Sequence, residues 1–247
     1  MVKYKVSAVS YFNTIPFIYG IKHSEIFNQI ELLLDFPSEC ARKLLEDEVD
    51  IALVPIVILK RTSQFNIVSN FCIGSNGKVD TVCVYSNIPI QNVESIYLDY
   101  QSKTSVELLK IICKEHWNIY PEFKASRKGF EEKIKGRAAA LIIGDRAFSA
   151  NRRYKYQYDL SDIWKKMTGL PFVFACWISN KKIDKDFLKK LNSALRFGLL
   201  DIEKSVEIEK HNFPYCQNPN DYLNNKISYI LDNNKRAGMN LFLSKII

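Results

Sequence analysis

The sequence is short of histidine, short of glycine and free of long apolar runs, and each shortage closes off a class of function. The three histidines, His23, His116 and His211, lie far apart, and none has zinc-like spacing to another histidine or to a cysteine. The 9 glycines in 247 residues are about half the usual share. No stretch carries a glycine-rich phosphate loop, a G-x-S-x-G elbow or an H-E-x-x-H pair. No run approaches the roughly 18 apolar residues of a membrane span. The opening MVKYKVSAVS holds Lys3 and Lys5, but its apolar part is short and is broken by Ser7 and Ser10. A secretory signal is therefore not expected, and a cytoplasmic protein is. No cysteine pair has the C-x-x-C form. Cys40, Cys72, Cys83, Cys113, Cys176 and Cys216 mostly sit in apolar runs, the pattern of buried, reduced thiols rather than of a disulfide or metal framework.

What is present is ordinary for a globular chain: 47% hydrophobic and 25% charged residues, and a length that buries a core without disulfides or metal. Lys and Arg total 35 against 27 Asp and Glu, a net charge of +8, which favours an anionic partner. The stretches KASRKGFEEKIKGR and NRRYKY are locally dense in basic residues. No helix-turn-helix, zinc or RNP pattern accompanies them, so nucleic acid is not the expected partner, while a small carboxylate or phosphate fits the same charge. A merely solvated basic surface is the plainer alternative.

Strand and helix patterns alternate along the first two-thirds. KYKVSAVS, IELLLDF, VDIALVPIVIL, FNIVSNFCIG and VDTVCVYS read as strands, with PSECARKLLEDE a helix that Ser38 is placed to cap. A second block follows: the strand SIYLDY, the helix VELLKIICKEHW, the strand AAALIIGD, the helix DLSDIWKKMTG and the strand LPFVFACWIS. The remainder is helical in spacing, with Phe187, Leu188, Leu191, Ala194, Leu195 and Leu199 on one face. Alternation of this kind predicts α/β layers with largely parallel strands, in two lobes with a ligand cleft between them.

Four polar loops are candidates for ligand groups. Ser10, Tyr11 and Asn13 lie in SYFNT after the first strand; Asn13 either meets a ligand or caps the helix near Pro16. Ser75 and Asn76 open SNGK, which by itself reads as an Asn-Gly hairpin turn. DYQSKTS carries Ser102, Thr104 and Ser105. Its continuation TSVE has the form of a capping box, Thr104 at the cap and Glu107 reaching back, and a helix start rich in hydroxyls suits an anion. Asp145, after ALIIG, is either a buried cap or a ligand group. None of these loops contains a histidine.

In order along the chain, VSYFNTIPF, VDIALVPIVIL, IGSNGKVDTVCVYS, LDYQSKTSVELLKII, LIIGDRA and YDLSDIWKKMTGLPFVFACW together resemble the chorismate dehydratases of menaquinone biosynthesis by the futalosine pathway. The motifs run from about Val6 to Trp177. The resemblance implies a type II periplasmic-binding-protein-like fold. One lobe would be residues 1–86 plus 176–247, the other residues 87–175, with VCVYS and FACWIS as crossings. It implies a lyase that converts chorismate to 3-[(1-carboxyvinyl)oxy]benzoate and water with no metal and no organic cofactor. The partner would be that small dicarboxylate, with no nucleic acid and no membrane, and oligomeric state left open.

By the same resemblance Asn13 is the catalytic residue. Ser102, Thr104 and Ser105 bind one carboxylate, Ser75 and Asn76 hold the other from the opposite lobe, and Asp145 lines the cleft with Ser10 and Tyr11. With no histidine in the loops, a substrate carboxylate acting as internal base is an open alternative. Phe12, Cys83 and Cys176 depart from the family pattern outside the proposed roles, and Tyr100 and Gln101 stand where smaller residues are expected, so bulk there is expected to narrow the pocket. Two rival readings share the fold. One is a non-catalytic small-anion (solute) binding protein. The other is the 1,4-dihydroxy-6-naphthoate synthase, which would open on a Cys-Pro-Asn-Asp-like motif.

Overall fold

The structure, a computed structural model, describes residues 3–246 apart from 62, 152, 214 and 215. The apolar run YKVSAV forms β1 (Tyr4–Val9). The chain then passes through α1 (Ile15–Lys22), β2 (Ile30–Asp35), α2 (Pro37–Leu45), β3 (Ile51–Pro55) and β4 (Asn66–Ser75). Next come β5 (Val82–Ser86), β6 (Ser95–Leu98), α3 (Lys103–Ile112), β7 (Glu122–Ala125), β8 (Ala138–Ile143), α4 (Arg146–Ala150), β9 (Tyr156–Asp159) and α5 (Leu160–Thr168). The chain closes with β10 (Phe172–Ser179), α6 (Lys185–Leu200), α7 (Ile202–Glu209), α8 (Pro219–Asp221), β11 (Ser228–Ile230) and α9 (Asn233–Lys245).

Two compact units result, Met1–Gly74 with Val173–Asn233 and Ser75–Phe172 with Asn234–Ile247. The first holds a sheet in the order β11-β4-β10-β3-β1-β2, the second a sheet in the order β7-β6-β8-β5-β9. Both are mixed rather than largely parallel. β1 is parallel to β2 and β3, and β6 to β7 and β8, as strands joined by crossover connections are. The antiparallel pairs are β10 against β3, β11 against β4, and β5 against β8 and β9. β10 and β5 follow the chain's passages between units, so no crossover helix sets their direction.

In the first unit Phe17 is fully buried with its ring 6.0 Å from Trp177, 6.1 Å from Phe71 and 5.2 Å from Tyr229. α1 and α6 touch backbone to backbone: a Cβ on Gly20 would lie 2.0 Å from the Ala194 carbonyl oxygen, and one on Gly198 1.7 Å from that of Pro16. Only glycine permits this crossing. In the second unit Trp164, Phe172 and Phe242 pack edge to face with centroids 5.0–6.1 Å apart. That aromatic cluster holds α9 in the second unit, whereas the sequence reading puts residues 176–247 in one lobe. β5, read from sequence as a crossing in the first lobe, lies inside the second sheet between β8 and β9.

Five of the six cysteines, all but Cys216, are buried. Burial pushes Cys40 and Cys113 up to about 12, so these are packing residues and not nucleophiles. Among the described residues no helix is long and apolar enough to cross a membrane. No group of three or more His, Cys, Asp and Glu among them is placed to hold a metal ion.

Candidate functional site

β1 ends where its backbone pairs outward to β2: Ser10 donates both its N–H (2.9 Å) and its hydroxyl (3.2 Å) to the Asp35 carbonyl oxygen. The Asp35 carboxylate accepts from the Ser7 hydroxyl at 2.9 Å and from Lys43 Nζ at 2.8 and 2.9 Å. The strand end is thereby bonded on two sides. A single 3-10 turn, Phe12–Thr14, joins it to α1. Phe12 anchors that turn in the core at 6.2 Å from Tyr222, and Tyr11 is buried with its ring 6.4 Å from that of Phe36. Asn13, between two buried neighbours, is itself half-buried. Its backbone carbonyl accepts from the Tyr229 hydroxyl at 3.0 Å and its Oδ1 from the Thr14 hydroxyl at 3.0 Å. With the oxygen so engaged, the amide end of Asn13 is its donor face.

Asn13 does not cap α1. Thr14 holds the N-cap position and makes no side-chain cap bond, and Pro16 in the first turn needs no N–H partner. Ser38 likewise lies inside α2, whose N-cap is Phe36.

In the second unit the register gathers four loops at one sheet edge. β6 and β8 are parallel, Tyr97 beside Ala140, so both carboxyl ends emerge together. β5 runs the other way with Val82 beside Ile143, which brings the loop before it to the same edge. β9 is antiparallel to β5, Asp159 beside Cys83, and delivers the start of α5 there too. Ser75, Asn76, Ser102, Thr104, Ser105 and Asp145 all belong to this edge. The three in the first unit are Ser10, Tyr11 and Asn13.

The edge is held by two buried carboxylates. Asp159 caps α5, its Oδ1 accepting from the N–H groups of Ser161 (3.0 Å) and Asp162 (3.1 Å). Its Oδ2 accepts from Val79 (2.9 Å) and Asp80 (2.7 Å) in the loop after β4. Burial pushes its carboxyl up, and those backbone N–H bonds oppose the shift. Asp99, at the end of β6, accepts from Gln101 N–H at 2.9 Å and Ile143 N–H at 3.0 Å, and is paired with Arg146. Burial pushes it up as well, against the pull of the Arg146 charge.

Within this frame Ser102, not Thr104, is the N-cap of α3, two residues earlier than the capping-box reading. Its hydroxyl accepts from Ser105 N–H at 3.3 Å and lies 3.2 Å from the Ser105 hydroxyl. Thr104 is inside the first turn and fully buried, and Glu107 pairs with Lys110 at 2.8 Å rather than reaching back. The SNGK stretch is no hairpin: β4 and β5 belong to different sheets, and Gly77, at φ +119°, turns the chain from one to the other. Ser75 is buried and shares a hydrogen bond with the Ser161 hydroxyl, in the unit that contains Ser102 and not in the opposite one. Asn76 is exposed beside it. Asp145 is buried at the N-cap position of α4 without a side-chain cap bond.

The sequence model of a family described as menaquinone biosynthesis matches residues 4–246. This chain belongs to that menaquinone-biosynthesis family. A relative named chorismate dehydratase, from Thermus thermophilus, is 29% identical over 193 residues, 70% of each chain. Among solved structures, a protein of Archaeoglobus fulgidus superposes with a TM-score of 0.74 at 13% identity, over 98% of this chain and 96% of its own. A Candida albicans protein described as having the generic periplasmic binding protein fold gives 0.68 at 10% identity, over 99% and 90%. The fold of this family member is therefore the periplasmic-binding-protein fold, as the alternating pattern and ordered motifs implied.

Sequence reasoning passed over Ser161, Asp159, Asp99 and Arg146 in this member of the menaquinone-biosynthesis family. A signal for two of them was there: YDLSD places an Asp directly before an apolar helix with a Ser at its second position. Asp99 and Arg146 carry no such signal, because only the register of β6 on β8 brings them together.

Proposed function

We propose that this chain is a chorismate dehydratase, eliminating water from chorismate to give 3-[(1-carboxyvinyl)oxy]benzoate. The observation that carries the reading is the likeness to a chorismate dehydratase over 193 residues, within a chain whose residues 4–246 match a menaquinone-biosynthesis family. In this elimination the ether-bearing carbon loses its proton, the neighbouring carbon loses hydroxide, and the ring becomes aromatic. The overall step is downhill, so the protein's work is to hold a dianion and orient the two departing groups.

The hydroxyl cluster of Ser102, Thr104 and Ser105, with the N–H groups of the first turn of α3, receives one carboxylate. Asn76 and the Ser75–Ser161 hydroxyl pair supply donors for polar groups of the substrate. The donor end of the Asn13 carboxamide stabilises charge on the leaving hydroxide, and Ser10 and Tyr11 shape its surroundings. Asp145 orients a hydroxyl or its own loop. A carboxylate of the substrate itself serves as the base, taking the proton from the ether-bearing carbon and returning it to the departing hydroxide, which leaves as water. The protein's own residues need supply no base in that scheme.

The test is direct. Purified protein is mixed with chorismate, and product is followed by chromatography and ultraviolet absorbance. Formation of the carboxyvinyloxybenzoate is expected. Saturable binding without product would replace the reading with a non-catalytic small-anion binding protein on the same fold.

A further inference from the structure

Tyr100 and Gln101 are larger than the residues expected before Ser102, and bulk at that point would crowd an anion at the α3 start. The structure shows where the bulk goes. The Arg146 guanidinium carbon lies 5.0 Å from the Tyr100 ring centroid and 5.4 Å from that of Phe130, and those two rings meet edge to face at 6.3 Å. One Arg146 nitrogen donates to Gln101 Oε1 at 2.9 Å and also pairs with Asp99. The other reaches Glu131 at 2.7 Å. Asp99 itself is fully buried and accepts from the backbone of Gln101 and Ile143. Gln101 is 4% exposed. A single guanidinium thus engages the side chains of three successive residues, Asp99, Tyr100 and Gln101, immediately before the cap of α3. The planar fork of arginine suits such a task, since it bonds in its plane and stacks on its faces at once.

We propose that Arg146, seated on Asp99, is a positioning residue that draws Tyr100 and Gln101 onto itself and so fixes the Ser102–Ser105 turn in the geometry that receives the substrate carboxylate. This rests on the reading that the α3 start binds a carboxylate. Arg146 acts through the turn and not on the substrate, because both of its terminal nitrogens are engaged, one by Asp99 and Gln101 and the other by Glu131. The bulk of Tyr100 and Gln101 is then the means of holding the turn, and it does not narrow the pocket.

Two readouts test the anchor, one of which needs no substrate. Amide hydrogen exchange at residues 101–106 is compared in wild type, R146M, R146K and Y100L. R146M is expected to accelerate exchange there about tenfold with the rest of the second unit unchanged, a local opening and not a global one. R146K, which keeps the charge but not the fork, and Y100L, which removes only the stacking, are expected to fall between; they carry the test if R146M does not fold. In chorismate turnover, R146M should raise KM about fivefold or more and leave kcat within about twofold, the mark of lost binding rather than lost chemistry. Unchanged exchange at 101–106, or acceleration spread evenly over the unit, overturns the anchor. If wild type fails to turn over chorismate, the proposed function falls, and the exchange data still decide the anchor.

Discussion

The hydroxyl of Tyr229 donates to the backbone carbonyl of Asn13 at 3.0 Å across 216 residues of sequence. The last strand of the first sheet thereby fixes the backbone of the residue proposed to do the chemistry. Tyr229 is buried, and burial pushes its phenol well above the usual tyrosine range, so it stays a donor. Tyr229→Phe removes that one bond to a part-buried carbonyl, a loss of about 1–2 kcal/mol. The melting temperature should fall by a few degrees, and kcat for chorismate should fall more than KM rises. An unchanged kcat would mean that the Asn13 backbone needs no such support.

Asn13→Ala takes away the carboxamide, and with it the acceptor of the buried Thr14 hydroxyl, but leaves the ring contacts of Phe12 in place. Turnover should drop about a hundredfold or more, in the range seen when one preorganised donor is removed. The circular dichroism spectrum should match that of wild type, and the melting temperature should fall by no more than a few degrees for the lost Thr14 bond. Normal turnover in this variant would take Asn13 out of the site.

The crossing of α1 and α6 admits no side chain at its closest point. A Cβ at Gly198 would sit 1.7 Å from the Pro16 carbonyl oxygen, which belongs to backbone and cannot swing aside. Gly198→Ala should cost about 2 kcal/mol or more, as overpacking does, read as a shift in urea midpoint. α1 begins one residue after Asn13's turn, so the same variant should also lower turnover.

Alkaline pH should destabilise the fold steeply, and one buried thiol isolates the cause. Cys113 is raised to about 12 by burial alone. Its native form keeps a proton that the unfolded chain releases above about pH 9, so its contribution is complete below that pH and is lost as pH rises towards 12. Between those limits the slope of unfolding free energy against pH should be shallower in Cys113→Ala by about 1.4 kcal/mol per pH unit. Equal slopes in the two proteins would show that the thiol ionises in the native state.

Much of the fold was legible because its signals are local. YKVSAV and IELLLD announce strands by their composition, and LSDIWKKMT a helix by its apolar spacing. The polar loops that follow the strands named nine candidate residues, and the six of the second unit do share one sheet edge. The capping of α3 was misplaced by two residues, since Ser102 and Thr104 are equally good caps by type and only the direction of the chain leaving β6 chooses between them. SNGK read as a hairpin because Asn-Gly turns depend on two residues, whereas whether β4 and β5 pair depends on two whole sheets.

The sequence by itself determined the α/β class, the order of strands and helices and, through motifs in series, the menaquinone-biosynthesis family. These follow from side-chain periodicity and turn chemistry, which act over a few residues. The tertiary structure alone decided that Ser75 bonds to Ser161, that Phe242 brings the last helix to Trp164, and that Asp99 meets Arg146 47 residues away. The Phe242–Trp164 contact is an aromatic one between α9 and α5, while the two polar pairs follow from strand order and register. A buried polar group must find its partner among whatever the sheet sets beside it, and no spacing along the chain records that neighbour.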